Sequence, residues 1–186
     1  MSDLAARLRA LPSFPDDMPE LDPGAAPEDP AELLLSWLED AIAAGVRQPH
    51  AMTFQTLGAD GGPVGRTLIL KDLDQRGLHV STHRTSRKGE QLAADPRAAM
   101  TFFWRESGRQ VQIGGTVHAL EEETSRADWL ARPTSDGRPN PDWQVYALQP
   151  ERYEFLQARH DRRHRRLGYR REGGSWTHAE VTTPAG

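Results

Sequence analysis

The sequence has no cysteine, only two lysines and no long apolar run. Without a thiol, disulfides, thiolate zinc sites, iron–sulfur clusters and cysteine nucleophiles are all excluded. The longest apolar stretch, residues 98–104, is about a third of the roughly 20 residues that a membrane-spanning helix needs, so no membrane partner is expected. Asp3 stands at the very start with no apolar core behind it, which predicts no secretory leader and makes the cytoplasm the expected compartment. Nucleotide loops are missing as well: there is neither a GxGxxG nor a GxxxxGK[ST] run. What remains is a chain of 186 residues, 37% hydrophobic and 27% charged, of a size that predicts one soluble domain.

The net charge of −4 hides a polarised chain. Residues 1–40 hold ten acids against Arg7 and Arg9, a net of −8, whereas residues 151–172 hold eight arginines against four acids. Such asymmetry implies an anionic ligand at the basic end or attraction between the two ends. Of 23 basic residues only Lys71 and Lys88 are lysine, and both fall within the basic segments described below. A compact ammonium and a planar guanidinium are not interchangeable, so these two positions attract notice.

Residues 1–29 are acidic and carry five prolines, and read as a flexible arm. Asp29-Pro30-Ala31-Glu32 then supplies an N-cap, a proline at the first helical position and a capping-box glutamate, which predicts an amphipathic helix over 30–44. From Ala51 the period becomes two. Strands are predicted at Ala51–Leu57, Val64–Asp72, Gly77–Thr82, Ala98–Trp104 and Arg109–Glu121, joined mostly by short turns. A short helix fits Ser86–Asp95, another fits Glu122–Ala131, and Thr134–Asp142 reads as a loop. The tail offers β-like runs at Val145–Leu148, Arg152–Leu156 and Ser175–Thr182, with the arginine cluster between the last two. This order predicts a mainly β fold, an antiparallel barrel with peripheral helices.

Three basic segments stand out. Arg66-Thr67-Leu68-Ile69-Leu70-Lys71 is a strand with two distinct faces, Ser86-Arg87-Lys88 opens a helix where unpaired amides add to the cations, and Arg109-Gln110-Val111 enters the longest strand. Together they read as a clamp for a polyanion, with Thr82 and Gln110 free to bond a polar ring edge; the plainer alternative makes each an ordinary exposed charge beside a turn. A metal is not expected: His160 and His164 have suitable spacing but sit among arginines, with no carboxylate cluster to complete a site. A nucleic-acid module built on residues 159–171 would need interleaved aromatics, and only Tyr169 is there.

In order and spacing, residues 66–71, Ser81-Thr82, Ser86-Arg87-Lys88, Trp104 and Arg109-Gln110-Val111 through Gly114 closely resemble the flavin-binding half of pyridoxine/pyridoxamine 5′-phosphate oxidases. Glu154-Phe155-Leu156-Gln157, then Arg162 to Arg166, Tyr169 and Trp176, resemble that family's C-terminal dimerisation region. The resemblance covers residues 45–184, with the dimerisation segment from about 143. It implies a split β-barrel domain over 30–184, a homodimer, and FMN at the subunit interface. The matched cofactor contacts are Arg66, Thr67, Leu68, Ile69, Leu70, Lys71, Ser81, Thr82, Arg87, Lys88, Gln110 and Arg166, with Arg87 and Lys88 on the phosphate. Lys71 and Arg132 match substrate-phosphate ligands, and Arg162 and His164 match the catalytic residues over the substrate ring.

The activity implied is oxidation of pyridoxamine or pyridoxine 5′-phosphate to pyridoxal 5′-phosphate, with O₂ as acceptor and H₂O₂ as product. Four positions depart from the pattern. Asp128 and Asp136 stand where the family has Tyr and Ser, the Gln-Ser flavin contact has no counterpart in the short segment around Asn140–Trp143, and Leu156 replaces a Trp. Two carboxylates beside a phosphate favour a second expectation, an oxidase of a different reduced aromatic metabolite of the phenazine-pathway type. A non-catalytic flavin-binding dimer is the third.

Overall fold

A computed structural model describes residues 3–182. Its centre is an antiparallel sheet in the order β2-β1-β5-β6-β7-β4-β3. The strands are β1 (Ala51–Leu57), β2 (Pro63–Ile69), β3 (Asp72–Asp74), β4 (Gly77–His83), β5 (Arg97–Trp104), β6 (Arg109–Ala119) and β7 (Trp143–Gln157), with β8 (Arg165–Glu172) and β9 (Ser175–Glu180) added beyond β7. The predicted strand Val64–Asp72 is two strands: the chain bends at Leu70-Lys71, so β2 pairs with β1 while β3 pairs with β4. Because β2 and β3 are nearly continuous in the chain, that bend joins the two ends of the strand order and closes the barrel. Leu70 N–H bonds to the His50 carbonyl and Lys71 N–H to the His79 carbonyl, which ties the bend to both sides.

The tail departs further from the sequence expectation. Val145–Leu148 and Arg152–Leu156 belong to one 15-residue strand, β7, and the arginine cluster supplies a strand of its own, β8. Pro150 lies between the two expected runs, and proline cannot donate to a ladder. In the fold it lies opposite Gly115, where the β6–β7 register shifts between Gly114 and Gly115, and a bulge tolerates it. The first half of β7 pairs with β4 and the second half with β8, so the sheet divides along this strand.

The described residues form four helices: α1 (Asp3–Arg9), α2 (Pro30–Ala43), α3 (Arg87–Ala94) and α4 (Glu122–Leu130). Asp29 caps α2, accepting from the Ala31 amide at 2.9 Å, and the helix buries Leu34, Trp37 and Ala41. Trp37 meets Phe155 edge-on at 5.2 Å, a junction between helix and sheet. Residues 1–29, the expected arm, are described from Asp3 onward: they contain α1 and a 3₁₀ turn at Pro23–Ala25, Leu21 is buried, and the Tyr169 hydroxyl donates to the Pro27 carbonyl at 2.8 Å. The last two residues of the expected domain, 183 and 184, lie outside the described residues. No helix among the described residues is long and apolar enough to cross a membrane.

Gly115 tests the bulge. A methyl group there would run into the Gln149 carbonyl oxygen and press on the Pro150 backbone, neither of which can yield cheaply. Gly115→Ala is expected to destabilise the domain by about 2–3 kcal/mol, read from urea unfolding at unchanged m-value.

Candidate active site

The turn after β4 builds the first half of the site. Ser86 caps α3 by accepting from the Gly89 amide at 3.3 Å, while its own hydroxyl donates to the His83 carbonyl at 2.7 Å. Asp142, from the loop before β7, accepts from the Thr85 amide at 3.1 Å and the Thr85 hydroxyl at 2.7 Å, pinning the turn from outside. Gly89 lets the first turn of α3 sit against this loop, since a side chain there would strike the Arg84 and His83 carbonyls. The result aims Arg87 and Lys88 into a cavity of about 370 Å³ lined also by Val64, Gly65, Arg66, Ser86 and Gln91.

Arg66 enters this cavity from β2, and its guanidinium is fixed by neutral groups. It donates to Thr56 Oγ1 at 2.7 Å, Gln91 Oε1 at 2.8 Å and the Phe54 carbonyl at 3.3 Å, and the Thr56 hydroxyl also donates to Gln91 at 2.7 Å. Among the described residues, Arg66, Arg87 and Lys88 have no carboxylate within ion-pair reach. Burial followed by repulsion from Arg66 and Arg87 lowers the Lys88 pKa, and burial followed by repulsion from Arg87 lowers that of Arg66. Three cations held together against their own repulsion, beside a helix N-terminus, form a site for an anion with more than one charge. That donor set fits the phosphate of FMN.

Other expected contacts fall nearby or elsewhere. The Thr82 hydroxyl lies 3.1 Å from Ser86, whereas Ser81 Oγ is buried with no hydrogen-bond partner. Thr67 and Ile69 are on the exposed face of β2, and Leu68 and Leu70 are on the buried one. Arg109, the cation of the third basic segment, is not available to a ligand. Its guanidinium is buried over the Trp37 ring at 4.6 Å and bonds to Asp40 at 2.7 Å and Gln157 at 3.2 Å, so it joins α2 to the sheet.

Beyond Thr82, the strand pairing places Phe103, Gln110, Leu156 and Arg166 side by side across β5, β6, β7 and β8. Phe103 is 57% exposed there, a large apolar side chain open to solvent. Arg162 and His164 lie at the end of this row, in a cavity of about 570 Å³ that Arg166 also lines. Arg162 has φ 64°, a left-handed conformation costly for a residue with a side chain. His164 Nδ1 accepts from the Arg159 amide at 3.0 Å, so the neutral ring carries its proton on Nε2. Ser13 accepts from Arg162 at 3.1 Å and Phe14 stands edge-on to His164 at 5.6 Å, which brings the N-terminal segment onto this pair. Arg66, Arg87 and Lys88 line one cavity, and Arg162, His164 and Arg166 line another.

A third group contains Lys71 and Arg132. Lys71 Nζ lies 3.3 Å from Asp128 Oδ1, and Asp128 Oδ2 accepts from Trp143 Nε1 at 2.7 Å. The Arg132 guanidinium lies over the Trp143 ring at 4.3 Å and is 5.0 Å from that of Trp129. Gln144 and Ser125 fix α4 to β7: Gln144 Nε2 donates to Ser125 Oγ at 3.0 Å, and the Val145 amide donates to the same oxygen at 3.0 Å. Sequence reasoning missed Gln91, Asp142 and the two tryptophans; of these only Gln91 carried a local signal, one turn after Arg87 on the same helix face. One cluster suits a cation by composition, Asp72, Asp74 and His79, but Arg76 covers Asp74 at 2.6 Å and holds its pKa at about 2.

Residues 38–157 match the family model described as pyridoxamine 5′-phosphate oxidase, and residues 143–181 match its C-terminal dimerisation region. The chain belongs to the pyridoxine/pyridoxamine 5′-phosphate oxidase family. Its curated relatives include the oxidases so named from Thermosynechococcus vestitus, 36% identical over 81% of this chain and 87% of the relative, and from Pseudomonas paraeruginosa, 38% identical over 81% and 87%. Among solved structures it is similar to PhzG from Burkholderia lata in complex with tetrahydrophenazine-1-carboxylic acid, with TM-score 0.84 and 30% identity over 92% of this chain and all of that one. A pyridoxamine 5′-phosphate oxidase-related, FMN-binding protein from Nostoc punctiforme shares the fold at TM-score 0.71 and 16% identity, over 87% of this chain and all of that one. The fold is the split barrel of this family.

Two predictions separate the cations by role. Arg87→Ala is expected to weaken FMN retention by about 10–100-fold on equilibrium dialysis, whereas Arg109→Ala lowers the melting temperature and leaves the affinity of the folded protein unchanged. Lys88 gives a pH signature. A bound phosphate favours its ammonium form, and its lowered pKa means that charge is lost earlier than usual as pH rises. FMN affinity should therefore fall on the alkaline side beginning below the ordinary lysine value of about 10.4, and Lys88→Met should abolish that fall.

Proposed function

We propose that the chain is an FMN-dependent oxidase that works as a homodimer, taking two electrons from a flat, anionic substrate and passing them to O₂. The observation that carries this reading is the cradle of Arg66, Arg87 and Lys88, whose repulsion no carboxylate relieves. The dimerisation region and the exposed Phe103 beside Gln110 and Arg166 support assembly of each site from two copies, one giving the phosphate cradle and the other the ring contacts. Bound FMN supplies a two-electron acceptor that O₂ reoxidises with release of H₂O₂.

The chain's own share is positioning and charge. Arg66, Arg87 and Lys88 would hold the phosphate, with Thr82 at its side. Gln110 and Arg166 would face the ring, where a cation stabilises the negative charge that develops on reduction. Arg162 would orient the substrate, and the proton on His164 Nε2 is a fixed donor toward it.

Two substrates are in view. The names of the curated relatives support pyridoxamine and pyridoxine 5′-phosphate. The Lys71–Asp128 ion pair favours the second reading, a reduced aromatic metabolite without a phosphate. Anaerobic mixing decides between them: bleaching of the flavin bands by saturating pyridoxamine or pyridoxine 5′-phosphate selects the first, and bleaching by a dihydroaromatic acid alone selects the second. In either case O₂ should restore the colour. Arg162→Ala is expected to slow the bleaching about 100-fold while FMN stays bound; loss of FMN with an unchanged rate on resupply would reverse its role.

A further inference from the structure

We propose that Asp128 is a specificity-determining residue that sets the Lys71–Arg132 cluster for a flat substrate carrying a single negative charge, a carboxylate, and against a phosphate dianion. The inference rests on the reading of the chain as an FMN-dependent oxidase with its substrate beside Lys71 and Arg132. Lys71 is already countered by Asp128 at 3.3 Å. Asp128 cannot easily swing away, because Trp143 Nε1 donates to its other oxygen at 2.7 Å and the Trp143 ring is itself set edge-on to His83 at 5.0 Å. The cluster therefore offers one cation without a carboxylate partner among the described residues, Arg132.

Arg132 is presented in a way that suits a carboxylate. Its guanidinium lies over Trp143 at 4.3 Å, so one face is covered and its N–H donors project in the plane, the geometry for a two-point bond to a planar anion. Trp129 is locked behind it by donating to the Arg138 carbonyl at 2.8 Å. A phosphate dianion placed here would need a second cation and would face the fixed carboxylate of Asp128, a like-charge contact that selects against it. Asp136, the other acid of this region, takes no part: its side chain is 62% exposed and accepts from the Arg138 amide at 3.0 Å.

The test compares two probes that share a ring and differ in the anion, 1-naphthoate and 1-naphthyl phosphate, titrated into the FMN-loaded protein with the flavin spectrum as the binding signal. Wild type should bind 1-naphthoate at least about tenfold more tightly. Asp128→Asn, which keeps an oxygen for Trp143, should raise affinity for 1-naphthyl phosphate about tenfold or more and erase the preference, at unchanged flavin content. Equal or tighter binding of the phosphate by wild type overturns the proposal without recourse to any variant, and so does an unchanged ratio in a folded, FMN-loaded Asp128→Asn protein. A protein that takes up no FMN fails earlier, at the oxidase reading, and takes this inference with it; a yellow protein whose flavin responds to neither probe overturns the cluster assignment alone.

Discussion

Everything the site can do depends on three like charges being kept together without a counterion. Elsewhere several cations are neutralised close by: Arg76 by Asp74, Arg97 by Asp95, Arg109 by Asp40, Arg165 by Glu180. Around Arg66, Arg87 and Lys88 the fold supplies amide and hydroxyl oxygens instead. Gln91 and Thr56 hold the Arg66 guanidinium in position without cancelling its charge, so the electrostatic cost stays available for an incoming anion to relieve. The barrel explains how the cost is borne. Strands β1 and β2 carry Thr56 and Arg66, α3 carries Gln91, Arg87 and Lys88, and Asp142 fastens the turn before α3, so the charges sit on elements fixed by other interactions.

The same logic accounts for what could be read from the sequence and what could not. Period-two runs and turn residues marked the strands from Ala51 to Ala119, most plainly β1, whose alternate residues are buried, and Asp29-Pro30 marked α2 because a cap is local chemistry. The bend at Leu70-Lys71 left no local trace, since what closes the barrel is pairing on opposite sides by two halves of one run. Pro150 does not interrupt β7 because its missing N–H is harmless at a bulge, and only the facing strand reveals the bulge.

Arg109 and Arg87 show the limit most plainly. Both precede a promising partner residue at the start of an element, and by local pattern both are clamp residues. Their difference lies in Asp40 and Trp37, far back on α2, which capture Arg109 and leave nothing for Arg87. Charge is legible in a sequence; whether it is already spent is a property of the fold. Likewise the family resemblance brought Lys71 forward as a phosphate ligand, and the geometry shows it already paired.

The two anion-facing ends of the site are thus built on opposite principles. Around Arg66, Arg87 and Lys88 three cations converge and the other residues lining the cavity are neutral, which suits a group with two negative charges. Around Lys71 and Arg132 the lysine is balanced by a carboxylate pinned by an indole, and a single guanidinium remains, backed by aromatic rings. A molecule that must enter and leave is better met by one stacked guanidinium than by a dense cationic nest, because tight uniform binding lowers KM without helping the chemical step. Asp128 beside Lys71 and the neutral lining around Lys88 act in opposite directions: the first lowers the net positive charge of its cluster, and the second leaves that of its cavity intact.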